Sequence, residues 1–184
     1  MIYSPLYNSA AVYHRGVVAG LYRKVYPAIR SSVYRPGDQL PVFTIGGLTF
    51  GIVICNDSNY IEPARVMAAQ GAAAIFIPTH NALPPDKADV VALARNTDIA
   101  RAIENSVAVI RADVAGEQGS LLSYGSTQII NPDGGMLASS TPLTHGLIVA
   151  DISTIALDRR RGWDASRNPA VTNAYRQLFA SDNN

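Results

Sequence analysis

Gly51-Ile52-Val53-Ile54-Cys55-Asn56-Asp57-Ser58-Asn59 is an apolar run that stops at a cysteine and turns polar at once. Its apolar half reads as a buried strand. Residues 61–70, with Pro63 near their start and Gly71 just past their end, read as the helix that follows. Cys55 therefore lies on a strand-to-helix turn, where backbone N–H groups and a helix N-terminus favour a thiolate. The same groups can receive a developing oxyanion. A lone cysteine at a strand end is more commonly a small core hydrophobe, so its surroundings have to decide.

Upstream, residues 42–45 and 48–55 flank Gly46-Gly47, a hairpin signal. Residues 10–13 and 17–22 flank His14-Arg15-Gly16 in the same way, and a loop with Pro27, Pro36-Gly37 and Pro41 joins the two hairpins. Downstream, residues 73–78 form a continuous apolar run of strand length. Residues 90–105 read as a longer helix with Leu93, Thr97, Ala100 and Ile103 on one face. Residues 107–112 and 127–130 read as strands, Asn131-Pro132-Asp133-Gly134-Gly135 as a turn, and residues 147–152 as the last strand. A short helix near Arg159 and a weakly patterned polar end are expected after Asp151. Strand–helix–strand alternation with hairpins on either side predicts one α/β domain, its mixed sheet covered by helices on one face.

Composition narrows the function. With 48% hydrophobic and 16% charged residues in 184, the chain can bury a core, and wholesale disorder is excluded. A net charge of +1 without a long basic run leaves no footprint for nucleic acid; Arg159-Arg160-Arg161 is read as a helix end or a subunit contact. Cys55 is the single cysteine, so no internal disulfide forms and a reducing compartment is expected. The first residues lack a signal-peptide pattern, and no apolar run reaches membrane-span length. The default is a soluble cytoplasmic protein without membrane or nucleic-acid partners.

Several short stretches fall in a shared register. Cys55-Asn56-Asp57 with Glu62 and Arg65 beyond it resembles the nucleophile segment of the carbon–nitrogen hydrolases, the nitrilase superfamily. Tyr7-Asn8-Ser9-Ala10, Gly20-Leu21-Tyr22-Arg23-Lys24-Val25 and Tyr34-Arg35-Pro36-Gly37-Asp38 resemble that family's Tyr-Asn-Ser, Tyr-Arg-Lys and Pro-Gly stretches. Arg101-Ala102-Ile103-Glu104-Asn105, then Gly125-Ser126-Thr127 with Pro132-Asp133-Gly134, continue the family's order. The resemblance runs from about residue 6 to 161 and implies the C-terminal portion of an αββα sandwich with mixed sheets. It implies a hydrolase domain over residues 1–162, N-terminally incomplete, and a tail over 163–184.

The resemblance further implies a cofactor-free, metal-free Glu-Lys-Cys triad. Cys55 would attack a small amide, nitrile or N-carbamoyl carbon to give a thioester-type acyl-enzyme, and Lys24 would stabilise the oxyanion and lower the thiol pKa. Lys24 and Cys55 are expected to meet at the same end of adjacent strands, with Lys24 less exposed than Lys87. Asn56, His80 and Asn81 are the expected substrate contacts, the latter two because Thr79-His80-Asn81 follows a buried strand whose C-terminal loop borders a site. Family members acting on N-carbamoyl amino acids carry arginines just after the Cys-Asn-Asp triplet. Ser58-Asn59 stands there instead, so a carboxylate-bearing substrate is not expected.

The family's catalytic glutamate precedes the Tyr-Asn-Ser stretch. The glutamates here are Glu62, Glu104 and Glu117, and no acidic residue precedes Asp38. Arg30-Ser31-Ser32 occupies the loop where a further family glutamate is common. Glu62 is expected to serve the helix N-terminus and Glu104 to order a helix end; Asp57 can cap the helix after the nucleophile or brace the elbow, and capping is the favoured role. The 184-residue chain alone is thus expected to be a poor catalyst. Three situations fit: a longer natural product, a glutamate supplied by another chain, or a non-catalytic member acting as a binding or assembly module. A homo-oligomer is expected in each.

Overall fold

A computed structural model describes residues 6–28, 33–153 and 168–180. The expectations for Arg30-Ser31-Ser32 and for the region around Arg159 lie outside the described residues.

The chain opens with a hairpin of β1 (Ser9–His14) and β2 (Val17–Arg23), closed by Arg15 and Gly16 at φ 50° and 82°. Two positive φ values in a two-residue loop match the right-handed twist of the strands. β3 (Val42–Ile45) and β4 (Leu48–Ile52) repeat the device around Gly46 and Gly47. A 3-10 turn over Cys55–Asn59 and helix α1 (Glu62–Ala69) follow. α1 ends in a Schellman motif: Gly71 at φ 104° donates its N–H to the Ala68 carbonyl, and Ala72 donates to that of Met67.

β5 (Ala74–Thr79), α2 (Val90–Asn105) and β6 (Ala108–Asp113) form a parallel strand–helix–strand unit. β7 (Ala115–Gln118) and β8 (Leu121–Tyr124) make a small separate hairpin, and β9 (Gln128–Ile130) and β10 (Met136–Ser139) finish the main sheet. The order is β10-β9-β6-β5-β4-β3, with β4, β5 and β6 parallel and the outer pairs antiparallel. This is the expected mixed sheet. α1 and α2 cover one face, where Gly51 lies so close to Met67 and Ile75 that a Cβ there would force both aside. The opposite face carries a row of Phe43, Phe50 and Phe76, ring against ring. The β1–β2 hairpin reaches this face at Gly20, which has no Cβ to strike the Phe43 ring.

Four expectations change. The buried stripe of α2 is Ala94, Asp98, Arg101 and Ala102, whereas Leu93 and Ile103 are exposed. An ion pair with Arg111 of β6 draws Asp98 inward. Residues 147–152 form no strand; Leu147 and Val149 are 89% and 77% exposed, with no neighbouring strand to pair with among the described residues. The hairpin β7–β8 arises where no strand is expected, from a sequence rich in Gly and Ser rather than β-branched residues. The polar end contains helix α3 (Pro169–Ala180), begun by Asn168, whose side chain accepts the N–H groups of Ala170 and Val171.

Candidate active site

Cys55 is the first residue of the 3-10 turn after β4 and has φ 49°, a left-handed conformation that side chains other than glycine rarely adopt. Such a residue costs on the order of 1–3 kcal/mol and persists only where its surroundings over-determine it. Here they do. Ser58 donates its hydroxyl to the Cys55 carbonyl at 2.7 Å. Asp57 accepts the Ile54 N–H at 2.9 Å, the Tyr22 hydroxyl at 2.7 Å and the Tyr26 N–H at 2.8 Å. Asp57 therefore braces the elbow and binds it to the end of β2. It does not cap α1, whose N-cap is Ile61; its hydrogen bonds run to Ile54, Tyr22 and Tyr26 instead.

Lys24 follows β2 directly. Its N–H donates to the Asn8 carbonyl, and its own carbonyl accepts from Gly37, so the Tyr-Asn-Ser and Pro-Gly stretches are the two sides of its mooring. Lys24 is 5% exposed, against 56% for the Lys87 side chain. Both Lys24 and Cys55 line one cleft of about 670 Å³. They do not sit on adjacent strands: β2 belongs to the small hairpin and β4 to the main sheet, so the cleft they both line lies between sheets. The tie is Asp57, aided by Asn56, whose amide donates to the Tyr26 carbonyl at 3.1 Å.

Asn56, His80 and Asn81 line the same cleft. Asn56 has its amide committed inside the protein, since its oxygen also accepts from Asn59 at 3.0 Å. The thiol of Cys55 lies 3.6 Å from Oδ1 of Asn81 and 3.9 Å from the His80 carbonyl. The loop carrying these two is pinned by Leu83 and Leu122, which exchange both backbone hydrogen bonds. Tyr124 of β8 also donates its hydroxyl to the Pro85 carbonyl.

Ser58, Thr79 and Arg111, which help line the cleft, belong to a network that the sequence reading did not include. Arg111 of β6 binds Asp98 of α2 through two 2.6 Å contacts, donates to Thr79 at 2.8 Å, and donates to Ser58 at 3.0 Å. Gln128 donates to Asp98 at 2.6 Å. A charged residue inside an apolar strand was the available signal, for such a side chain is buried only when paired. Through Ser58 the network reaches the Cys55 carbonyl and so supports the strained turn.

The glutamates lie elsewhere. Glu62 is exposed on the first turn of α1, Glu104 pairs with Arg65 and Arg101 at 3.5 and 3.0 Å, and Glu117 is exposed on β7. Among the described residues, no carboxylate lines the cleft and no group of three metal-ligating side chains forms. Nor is any helix among them long and apolar enough to cross a membrane.

Burial, and then the Asp57 carboxylate beside it, push the Tyr22 phenol well above its ordinary pKa. The sign follows: above about pH 10 the unfolded chain loses this proton while the folded one keeps it, so stability falls as pH rises. Denaturant titrations between pH 9 and 11 should show the steeper fall in the parent chain, by up to about 1.4 kcal/mol per pH unit, than in Tyr22→Phe.

An α/β fold with a cysteine elbow and a sequestered lysine in one cleft defines a class, and the chain belongs to the carbon-nitrogen hydrolase family, whose sequence profile residues 3–160 match. It is 31% identical to a nitrilase of Pyrococcus abyssi over 158 residues, 85% of this chain and 57% of that protein. A carbon-nitrogen hydrolase from Helicobacter pylori shares the fold at a TM-score of 0.84 and 23% identity, covering 94% of this chain and 66% of that one. An amidase mutant from Nesterenkonia sp. AN1, with the acetamide moiety of fluoroacetamide added covalently at its active-site cysteine, matches at a TM-score of 0.68 and 29% identity. That match covers 88% of this chain and 60% of the amidase. The chain thus spans about half the length of most of the curated relatives it matches, from 45% to 60% in six of them.

Proposed function

We propose that Cys55 is the nucleophile of a carbon–nitrogen hydrolase acting on a small non-peptide amide, nitrile or N-carbamoyl compound. The observation that carries this reading is a thiol on a strained, over-braced turn in a cleft it shares with a buried lysine. Strain of this kind, maintained by buried hydrogen bonds, is the usual mark of a side chain held for chemistry. With an amide substrate, the thiolate adds to the carbonyl carbon and the tetrahedral oxyanion forms. Collapse expels the amine, which must take up a proton, and leaves a thioester; water then cleaves it and returns the thiol. The Lys24 ammonium would stabilise the oxyanion, while His80 and Asn81 border the substrate. The covalent adduct at the cysteine of the Nesterenkonia amidase, in which sulfur carries the acetamide moiety, supports a nucleophilic cysteine at the corresponding place.

Both halves need a group that carries protons, and the described lining offers no carboxylate. With this lining, both acylation and hydrolysis of the thioester should be slow, short of full activity by about 10²–10⁴-fold. The same observation favours a second reading, in which the chain is a non-catalytic member that binds or assembles.

Alkylation by iodoacetamide separates the two. Cys55 should react near neutral pH faster than a simple thiol of pKa about 8.5, and Lys24→Met should slow it about tenfold or more. Equal rates in the two proteins would remove Lys24 from the site and leave the binding module.

A further inference from the structure

Leu93 of α2 is 59% exposed, and it lines the cleft that holds Cys55. Val90 and Ala94 line it too, and the spacing i, i+3, i+4 puts all of them on one face at the start of α2. Ala82 and Leu83, from the loop after β5, complete an apolar wall. None of these side chains carries a polar atom. The polar groups of the lining come from other elements: Lys24 follows β2, and Asn56 and Asn59 belong to the 3-10 turn.

The wall is built before anything binds. Leu83 exchanges backbone hydrogen bonds with Leu122 at 2.9 and 2.8 Å, and Tyr124 holds the same loop at Pro85. Val90 and Leu93 ride on α2, which Asp98 anchors to Arg111 at 2.6 Å. An apolar group laid on an exposed leucine takes both surfaces out of water, and ligand clefts are commonly lined this way beside a few polar groups. Charge points in the same direction. Arg111 is closed by Asp98, Thr79 and Ser58. Asp86, on the loop that carries Leu83, pairs with Lys87 at 3.5 Å. Among the described residues, a cationic substituent would meet Lys24 and find no carboxylate in the lining.

We propose that Leu83, Val90 and Leu93 are specificity-determining residues that select a neutral substrate with an apolar substituent and disfavour one carrying an ammonium group. The proposal rests on Cys55 being the nucleophile and narrows the substrate class of that reading. The polar part of the lining takes the reacting carbon and its heteroatoms, and the wall takes the substituent.

The test is the rate of Cys55 alkylation in the full chain by iodoacetamide, by N-neohexyl iodoacetamide, and by the trimethylammonioethyl isostere of the latter, in which N⁺ replaces the quaternary carbon. Each rate is divided by that of a simple thiol with the same reagent, so the reagents' own reactivities cancel. The neohexyl probe should gain about tenfold over iodoacetamide, and its cationic isostere should fall about tenfold below it. Leu93→Asp puts a carboxylate on the wall at the start of a helix, where it is well tolerated. It should cut the neohexyl gain to about threefold or less and raise the cationic probe about threefold. Val90→Ser should cut the neohexyl gain without adding a charge. Leu147→Asp, at a residue 89% exposed and outside the lining, should leave all three rates unchanged.

Equal relative rates for the three reagents in the parent chain would overturn the proposal. So would a neohexyl gain that survives both Leu93→Asp and Val90→Ser. The ratios do not depend on how reactive the sulfur is. Slow alkylation by iodoacetamide with the neohexyl gain intact would support the wall and count against the nucleophile reading; fast alkylation without that gain would do the reverse.

Discussion

Asp98→Ala is expected to lower the unfolding free energy by about 3–5 kcal/mol, enough to threaten the fold on its own. Asp98 is fully buried and receives two 2.6 Å contacts from Arg111 and one from Gln128. Removing it leaves a guanidinium in the interior with only two hydroxyls as partners, Thr79 and Ser58. The cost is that of an uncompensated buried charge rather than the net worth of the pair, so Asp98→Leu with Arg111→Met should recover much of it. Against a typical total of about 5–15 kcal/mol, this loss removes about a third or more of an average domain's stability. Denaturant melts at one fixed protein concentration measure this, and a loss under about 1 kcal/mol would show that the pair is solvated. In variants that stay folded, slower Cys55 alkylation is expected, since Arg111 holds Ser58 and Ser58 holds the Cys55 carbonyl.

The second large effect concerns association. Tyr13 and Val17 on the β1–β2 hairpin are 67% and 65% exposed, and Val18 and Leu21 beside them are exposed too. This hairpin is a two-stranded sheet, so each strand has an outer edge with no strand on it among the described residues. Unpaired edges that carry apolar side chains template pairing with another chain, and apolar patches beyond a few hundred Å² are uncommon on monomers. The 184-residue chain is therefore expected to self-associate at micromolar concentration through the hairpin. Size-exclusion with light scattering should find more than one chain per particle. Val17→Lys with Tyr13→Lys should weaken the contact by about 2 kcal/mol or more, about thirtyfold in dissociation constant. A monodisperse monomer with a cooperative melt would show that the fold tolerates this surface alone.

Much of the fold and of the candidate site was legible from local patterns. Arg15-Gly16 and Gly46-Gly47 announce their hairpins because two-residue loops need positive φ, and Gly71 announces the end of α1 for the same reason. The apolar runs before Cys55 and Thr79 mark strands buried on both faces, and the polar run after Cys55 marks the turn. Cys55, Lys24, Asn56, His80 and Asn81 all line one cleft, because each sits at the end of a strand whose position the pattern announces.

What tertiary structure alone decided are the contacts between segments distant in sequence. The burial of Asp98 over Leu93 depends on Arg111 projecting from β6 toward α2, and no helical periodicity contains that. The role of Asp57 depends on Tyr22 and Tyr26 arriving from another sheet. Residues 147–152 carry a strand's composition yet form none, because a strand needs a neighbour as well as a pattern. Sequence determined which segments could be strands, turns and helices, since those preferences are local. Which polar side chain faces which was decided only when the sheets brought them together, because hydrogen bonds and ion pairs act across space within about 3 Å.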